Sequence, residues 1–83
     1  MPEITRFYGI VLKIFFIGEH NPPHFHAVYG EYNGIIDIRT LKMSEGDLPR
    51  KAQKLIEEWG EAHKQVLMDM WNTKTLTKLP PLE

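Results

Sequence analysis

Three of the chain's four histidines fall in the segment His20-Asn21-Pro22-Pro23-His24-Phe25-His26. Imidazole changes protonation near neutrality and is a common metal ligand. His24 and His26 lie two residues apart, so on a strand they point to one face. One can act as general base and the other as general acid, which makes them the candidate catalytic pair. With His20 folded back across the Pro-Pro turn, the same cluster also has the make-up of a Zn, Ni or Cu site. The plainest alternative is that these are surface histidines, or supports that hydrogen-bond the turn. The strand supplies only two ligands, and the third must come from a turn. No resident metal and no other cofactor is therefore expected.

The elements that position these residues can be read from periodicity. Residues 7–17, Phe-Tyr-Gly-Ile-Val-Leu-Lys-Ile-Phe-Phe-Ile, are apolar, β-branched and aromatic, and predict a first strand with Lys13 on its less buried face. Gly18 to Pro23 is a turn by chemistry, since proline cannot donate to a ladder. His24 to Gly30 predicts a second strand. Asn33-Gly34 is the short-hairpin signal. Ile35 to Leu41 then predicts a third strand, with Ile36 and Ile38 alternating with Asp37 and Arg39.

A two-residue Asn33-Gly34 turn would put Phe25, Ala27 and Tyr29 on the core face with Ile36 and Ile38. His24 and His26 would face the other way, beside Arg39. Arg39 could then hold a phosphate or carboxylate near the imidazoles. His20, Arg39, Arg6 and Tyr8 are the candidate binding residues.

A helix is expected over about 48–72, with Asp47 as N-cap and Pro49 in the first turn. Ala52, Leu55, Ile56, Trp59, His63, Val66, Leu67 and Met70 keep helical spacing. The opposite face is charged. Gly60 interrupts this helix at a cost of about 1 kcal/mol relative to Ala, and close approach to the sheet would explain it. His63, inside the stripe, reads as a neutral histidine donating to a backbone carbonyl. Residues 73–83 form an extended tail whose leucines pack back on the domain.

The expectation is thus one α+β domain over residues 1–83. A small antiparallel three-stranded sheet (about 7–41) is packed by one long C-terminal amphipathic helix. The chain has 83 residues, no cysteine and a formal net charge of −1. Disulfides and thiolate metal sites are excluded. The strong positive excess of a non-specific DNA binder is missing, although Arg50, Lys51 and Lys54 crowd one stretch. The run Ile14-Phe15-Phe16-Ile17 is far short of the about 20 apolar residues that span a bilayer. Met1 to Thr5 lacks a signal-peptide pattern. A cytoplasmic location without membrane contact is expected.

Four segments together, ITRFYGIVLKIFF, HNPPHFHAVYGEY, DLPRKAQKLIEEW and the closing KLPPL, resemble a family of small prokaryotic proteins catalogued as domain of unknown function 4160. The resemblance covers nearly the whole chain. It implies a component of a two-gene, toxin–antitoxin-like module whose partner is a small protein encoded by a neighbouring gene. The layout of histidine strand, Gly-containing hairpin and Leu-Pro helix start is also similar to the HicA-type ribonucleases. The chain departs from them in lacking a Gly-Ser-His stretch and a leading helix.

Three functions follow as expectations. The first is a nucleic-acid-associated component whose histidine face contacts or cuts RNA or DNA. The second is a non-enzymatic protein-interaction module, and the third a metal-binding protein. Sequence reading leaves open whether the chain is an enzyme.

Overall fold

The computed structural model describes residues 3–16 and 22–83. Within them the chain forms β1 (Glu3–Phe7), β2 (Ile10–Lys13), β3 (His24–Tyr29), β4 (Tyr32–Asp37), β5 (Met43–Gly46) and α1 (Arg50–Thr73). The strands make one antiparallel sheet in the order β1-β2-β3-β4-β5. The α+β class and the single long helix agree with the sequence reading, but the sheet has five strands, not three.

Two features produce this difference. The segment expected as one strand over 7–17 opens on a turn, so that a strand before it, β1, pairs with β2 within it. Tyr8 and Gly9 both have positive φ, 50° and 82°, as a two-residue type I′ turn requires. A single glycine in an aromatic run conceals that turn. The other feature is β5, whose sequence Met43-Ser44-Glu45-Gly46 has neither alternation nor β-branched residues. It is a strand because β4 is there to pair with, as tertiary context overrides propensity.

The hairpin between β3 and β4 also differs from expectation. Its turn is Gly30-Glu31, with Tyr29 opposite Tyr32 and Gly30 at φ 61°. Asn33 and Gly34 lie inside β4. Gly34 serves packing: a Cβ there would stand 2.6 Å from Leu48 Cδ1. Because the true turn also has two residues, the parity of the faces survives. Phe25 pairs with Ile36; Phe25, Ala27 and Ile36 are buried, and Tyr29 is partly buried. The strand expected at 35–41 ends at Asp37. Beyond it the chain turns, and the Leu41 N–H donates to the Asp37 carbonyl at 2.7 Å.

The helix begins two residues later than expected. Its N-cap is Pro49, without a side-chain cap. Asp47, expected in that role, ties β5 to β4 instead: its Oδ1 accepts from the Asn33 N–H at 3.0 Å, and its own N–H donates to the Asn33 carbonyl at 2.9 Å. Ala52, Ile56, Trp59, Leu67, Met70 and Trp71 are buried against the inward face of the sheet, where Ile4, Ile10, Leu12, Ile14, Phe25 and Ile36 complete the core. Trp59 lies against Phe7 and Phe25, with ring centroids 6.0 and 6.2 Å away. Gly60 permits a close approach, though to a turn and not a strand, since a Cβ would meet Leu41 Cδ2 at 2.6 Å. His63 packs its ring on Trp59 at 4.7 Å.

After Lys74, in left-handed conformation at the helix C-cap, the tail returns along β1. Leu76, Leu79 and Leu82 pack on the core. The described residues contain no helix long and apolar enough to cross a membrane.

Candidate functional site

The helix covers one face of the sheet, and His24 and His26 lie on the other. The register fixes the composition of this outer face. One row across the strands runs Glu3, Lys13, His26, Ile35, Glu45. The next runs Arg6, Val11, Val28, Asn33. Toward the other end His24 stands opposite Asp37. Val11, Val28 and Ile35 are only half-buried, so apolar side chains reach a face that no described helix covers.

The two imidazoles are neighbours, with ring centroids 5.3 Å apart. They belong to a longer aromatic ladder. His26 meets Phe15 edge-on at 4.8 Å, and His24 meets Trp71 at 5.0 Å. The Lys74 ammonium stands 4.5 Å over the Trp71 ring, a cation–π contact. The last turn of α1 thereby joins the histidine pair to the helix.

The Pro-Pro step supports this arrangement. The His24 Nδ1–H donates to the Pro22 carbonyl at 3.0 Å. The Pro23 carbonyl accepts from the Ile38 N–H at 3.0 Å, which fastens the start of β3 to the end of β4. Neither proline needs a donor of its own for these contacts.

Arg39 is not on this face as a member of β4. It lies past the strand end, and its guanidinium is bound to Asp37, Nη2 to Oδ2 at 3.2 Å. Its backbone N–H donates to Asp37 Oδ1 at 2.8 Å. Partial burial works against ionisation of Asp37, but the Arg39 guanidinium and the N–H groups of Arg39 and Thr40 outweigh it. The carboxyl is held below its ordinary range. Arg39 therefore sits one residue removed from the imidazoles, through the carboxylate opposite His24.

The other candidate binding residues are spread out. Arg6 is exposed on β1 and forks onto Glu3 at 2.7 and 3.0 Å. This hydrogen bond, against slight desolvation, keeps the Glu3 carboxyl below its usual range. Tyr8, 59% exposed at the β1–β2 turn, lines a separate hollow of about 350 Å³ with Tyr29, Leu55 and Leu82. His20 lies outside the described residues. Among the described residues no three of His, Asp and Glu converge as a metal site.

Sequence reasoning missed Phe15, Trp71 and Lys74 as neighbours of the histidines. Trp71 had a signal: it lies four residues after Leu67, at helical spacing with the buried stripe. Its proximity to His24 depends on the helix length and the tilt over the sheet, which no spacing encodes.

A family model described as "Domain of unknown function (DUF4160)" matches residues 9–72. Neither the curated proteins nor the solved structures contain a match to the chain.

Proposed function

The chain belongs to the DUF4160 family, and we propose that its outer sheet face binds single-stranded nucleic acid, as one component of a toxin–antitoxin-like pair. The observation that carries this reading is the outer-face cluster of Phe15, His26 and His24, backed by the buried Trp71 with Lys74 over its ring. Single-stranded nucleic acid is held by aromatic faces that stack bases and by cations that follow the backbone. Lys13, directly opposite His26, supplies a second cation. The adjacent His24 and His26 imidazoles are also the side-chain types that serve as base and acid in hydroxyl chemistry on RNA.

Binding of fluorescent ten-nucleotide RNA and DNA strands, followed by anisotropy at two salt concentrations, tests the proposal. Affinity should fall as salt rises. A His24→Gln/His26→Gln variant should bind at least tenfold more weakly while melting at the parent's temperature. Binding that is absent at low salt, or unchanged in that variant, ends this reading.

A second reading rests on the half-buried Val11, Val28 and Ile35. An antiparallel sheet usually turns polar side chains to solvent, and an apolar outer face suits a partner protein. The partner would be the product of the neighbouring gene. Co-purification that is lost on Ile35→Glu, with RNA binding absent, supports this alternative.

A further inference from the structure

A shallow hollow of about 470 Å³ lies on the outer face between His26 and β5. It is lined by Val28 and Ile35, by Lys13, Phe15 and His26 on one side and by Glu45 on β5 on the other, with Asn33 opposite Val28 on β4. Its volume is in the range of small-ligand sites, about 300–1,000 Å³. We propose that this hollow is a subsite for one guanine base of the bound strand, a proposal that rests on the nucleic-acid reading above.

The argument starts from the row His26, Ile35, Glu45, whose members lie on adjacent strands. The two rims are thus two strand spacings apart, about 10 Å, with an apolar side chain between them. A flat heteroaromatic ring can lie on Val28 and Ile35 with its edges at the two rims. Phe15, edge-on to His26, closes the side toward the histidine pair. Lys13, which also lines the hollow, is a cation available to the phosphate of such a base.

The far rim decides which base. A carboxylate only accepts hydrogen bonds. Guanine alone among the standard bases presents two adjacent donors, N1–H and the N2 amine, on its pairing edge. Adenine, cytosine and uracil each set an acceptor beside their donor. Glu45 can take both guanine donors at once, and the Asn33 amide, which also lines the hollow, can donate to the ring's acceptors. Glu45 is exposed and repels phosphate, so it adds nothing to backbone affinity. Its contribution is discrimination.

The test measures binding of the full chain to five-nucleotide RNAs UUGUU, UUAUU and UUIUU, where inosine lacks only the N2 amine. The parent should prefer guanosine over adenosine by about tenfold, the discrimination of one bidentate contact, and over inosine by several-fold. Glu45→Gln should remove both preferences while leaving the melting temperature and UUAUU binding near the parent's. Equal binding of all three RNAs by the parent, or a guanosine preference that survives Glu45→Gln, overturns the guanine subsite and leaves the nucleic-acid reading standing. Failure of the parent to bind any of them at low salt overturns both.

Discussion

The indole N–H of Trp59 donates to the carbonyl of Pro80 at 2.8 Å. The most central aromatic of the helix is thus satisfied by the tail and not by the sheet. A buried indole needs such an acceptor, and an X-Pro-Pro segment offers carbonyls without bringing unpaired donors. The Leu79 N–H completes the attachment by donating to the Ile4 carbonyl at 3.1 Å on the outer edge of β1. The tail therefore protects both an edge strand and the end of the core.

Trp59 should be the most sensitive single position. Trp59→Ala is expected to cost about 3–5 kcal/mol, a large part of the stability of a domain this small. Trp59→Phe keeps part of the ring packing but removes the hydrogen-bond donor and some buried volume, at about 2–3 kcal/mol. Urea unfolding measures both. Hydrogen exchange at the Leu79 amide should speed up in the Phe variant, because the tail loses its hydrogen bond to Trp59.

The paired glycines of β4 and β5 should respond unequally to alanine. A Cβ on Gly34 would press on Leu48 Cδ1 at 2.6 Å, the mobile end of a side chain. Gly34→Ala should cost about 1–3 kcal/mol, and a Leu48→Val change in the same chain should recover part of it. On Gly46 the Cβ would meet the Asn33 carbonyl oxygen at 2.3 Å, and φ is 124°. Backbone cannot yield as a leucine methyl can, so Gly46→Ala should be the more damaging. No side-chain change should rescue it. Thermal melts of the three variants decide this.

Asp37 gives the fold a defined acid sensitivity. Its carboxyl is held below the ordinary range by Arg39 and two backbone N–H groups, against partial burial. A lowered folded value stabilises the protein above the unfolded-chain value, about pH 4. That stability is lost as pH falls through the folded value. Asp37→Asn should therefore melt below the parent at pH 7, and the two melting curves should converge below about pH 4. A constant gap from pH 7 to pH 2 would show that the ion pair is not the source.

Much of this fold could be read where side chains repeat with a period. The stripe Ala52, Ile56, Trp59, Leu67, Met70 specified the helix and its buried face. The inward placement of Phe25 and Ala27 also followed from alternation, even with the turn misplaced. Two of the errors fall on glycines. Gly9 makes a turn inside an apolar run, while Gly34, beside a turn-forming asparagine, makes room for Leu48. Glycine marks both a positive φ and a close approach, and sequence does not say which. The histidine pair was legible because it is local. Its neighbours Phe15, Trp71 and Lys74 come from β2's extension and the helix end, and only the assembled fold brings them to it.

Lys74 separates stability from binding most cleanly. It occupies a left-handed C-cap position at φ 57°, where glycine carries no Cβ penalty. It also gives Trp71 a cation–π contact at 4.5 Å, worth about 0.5–1 kcal/mol. Lys74→Gly relieves the first and loses the second, so its melting temperature should stay within a few degrees of the parent's. Nucleic-acid binding has no such offset. Each phosphate contact on a single strand contributes about −0.7 to the slope of log affinity against log salt. Lys74→Gly and Lys13→Ala should each flatten that slope by about this amount, equally for guanosine- and adenosine-containing strands. A Lys74→Gly chain that melts like the parent and keeps the full slope would place the phosphate path away from the Trp71 end of the ladder.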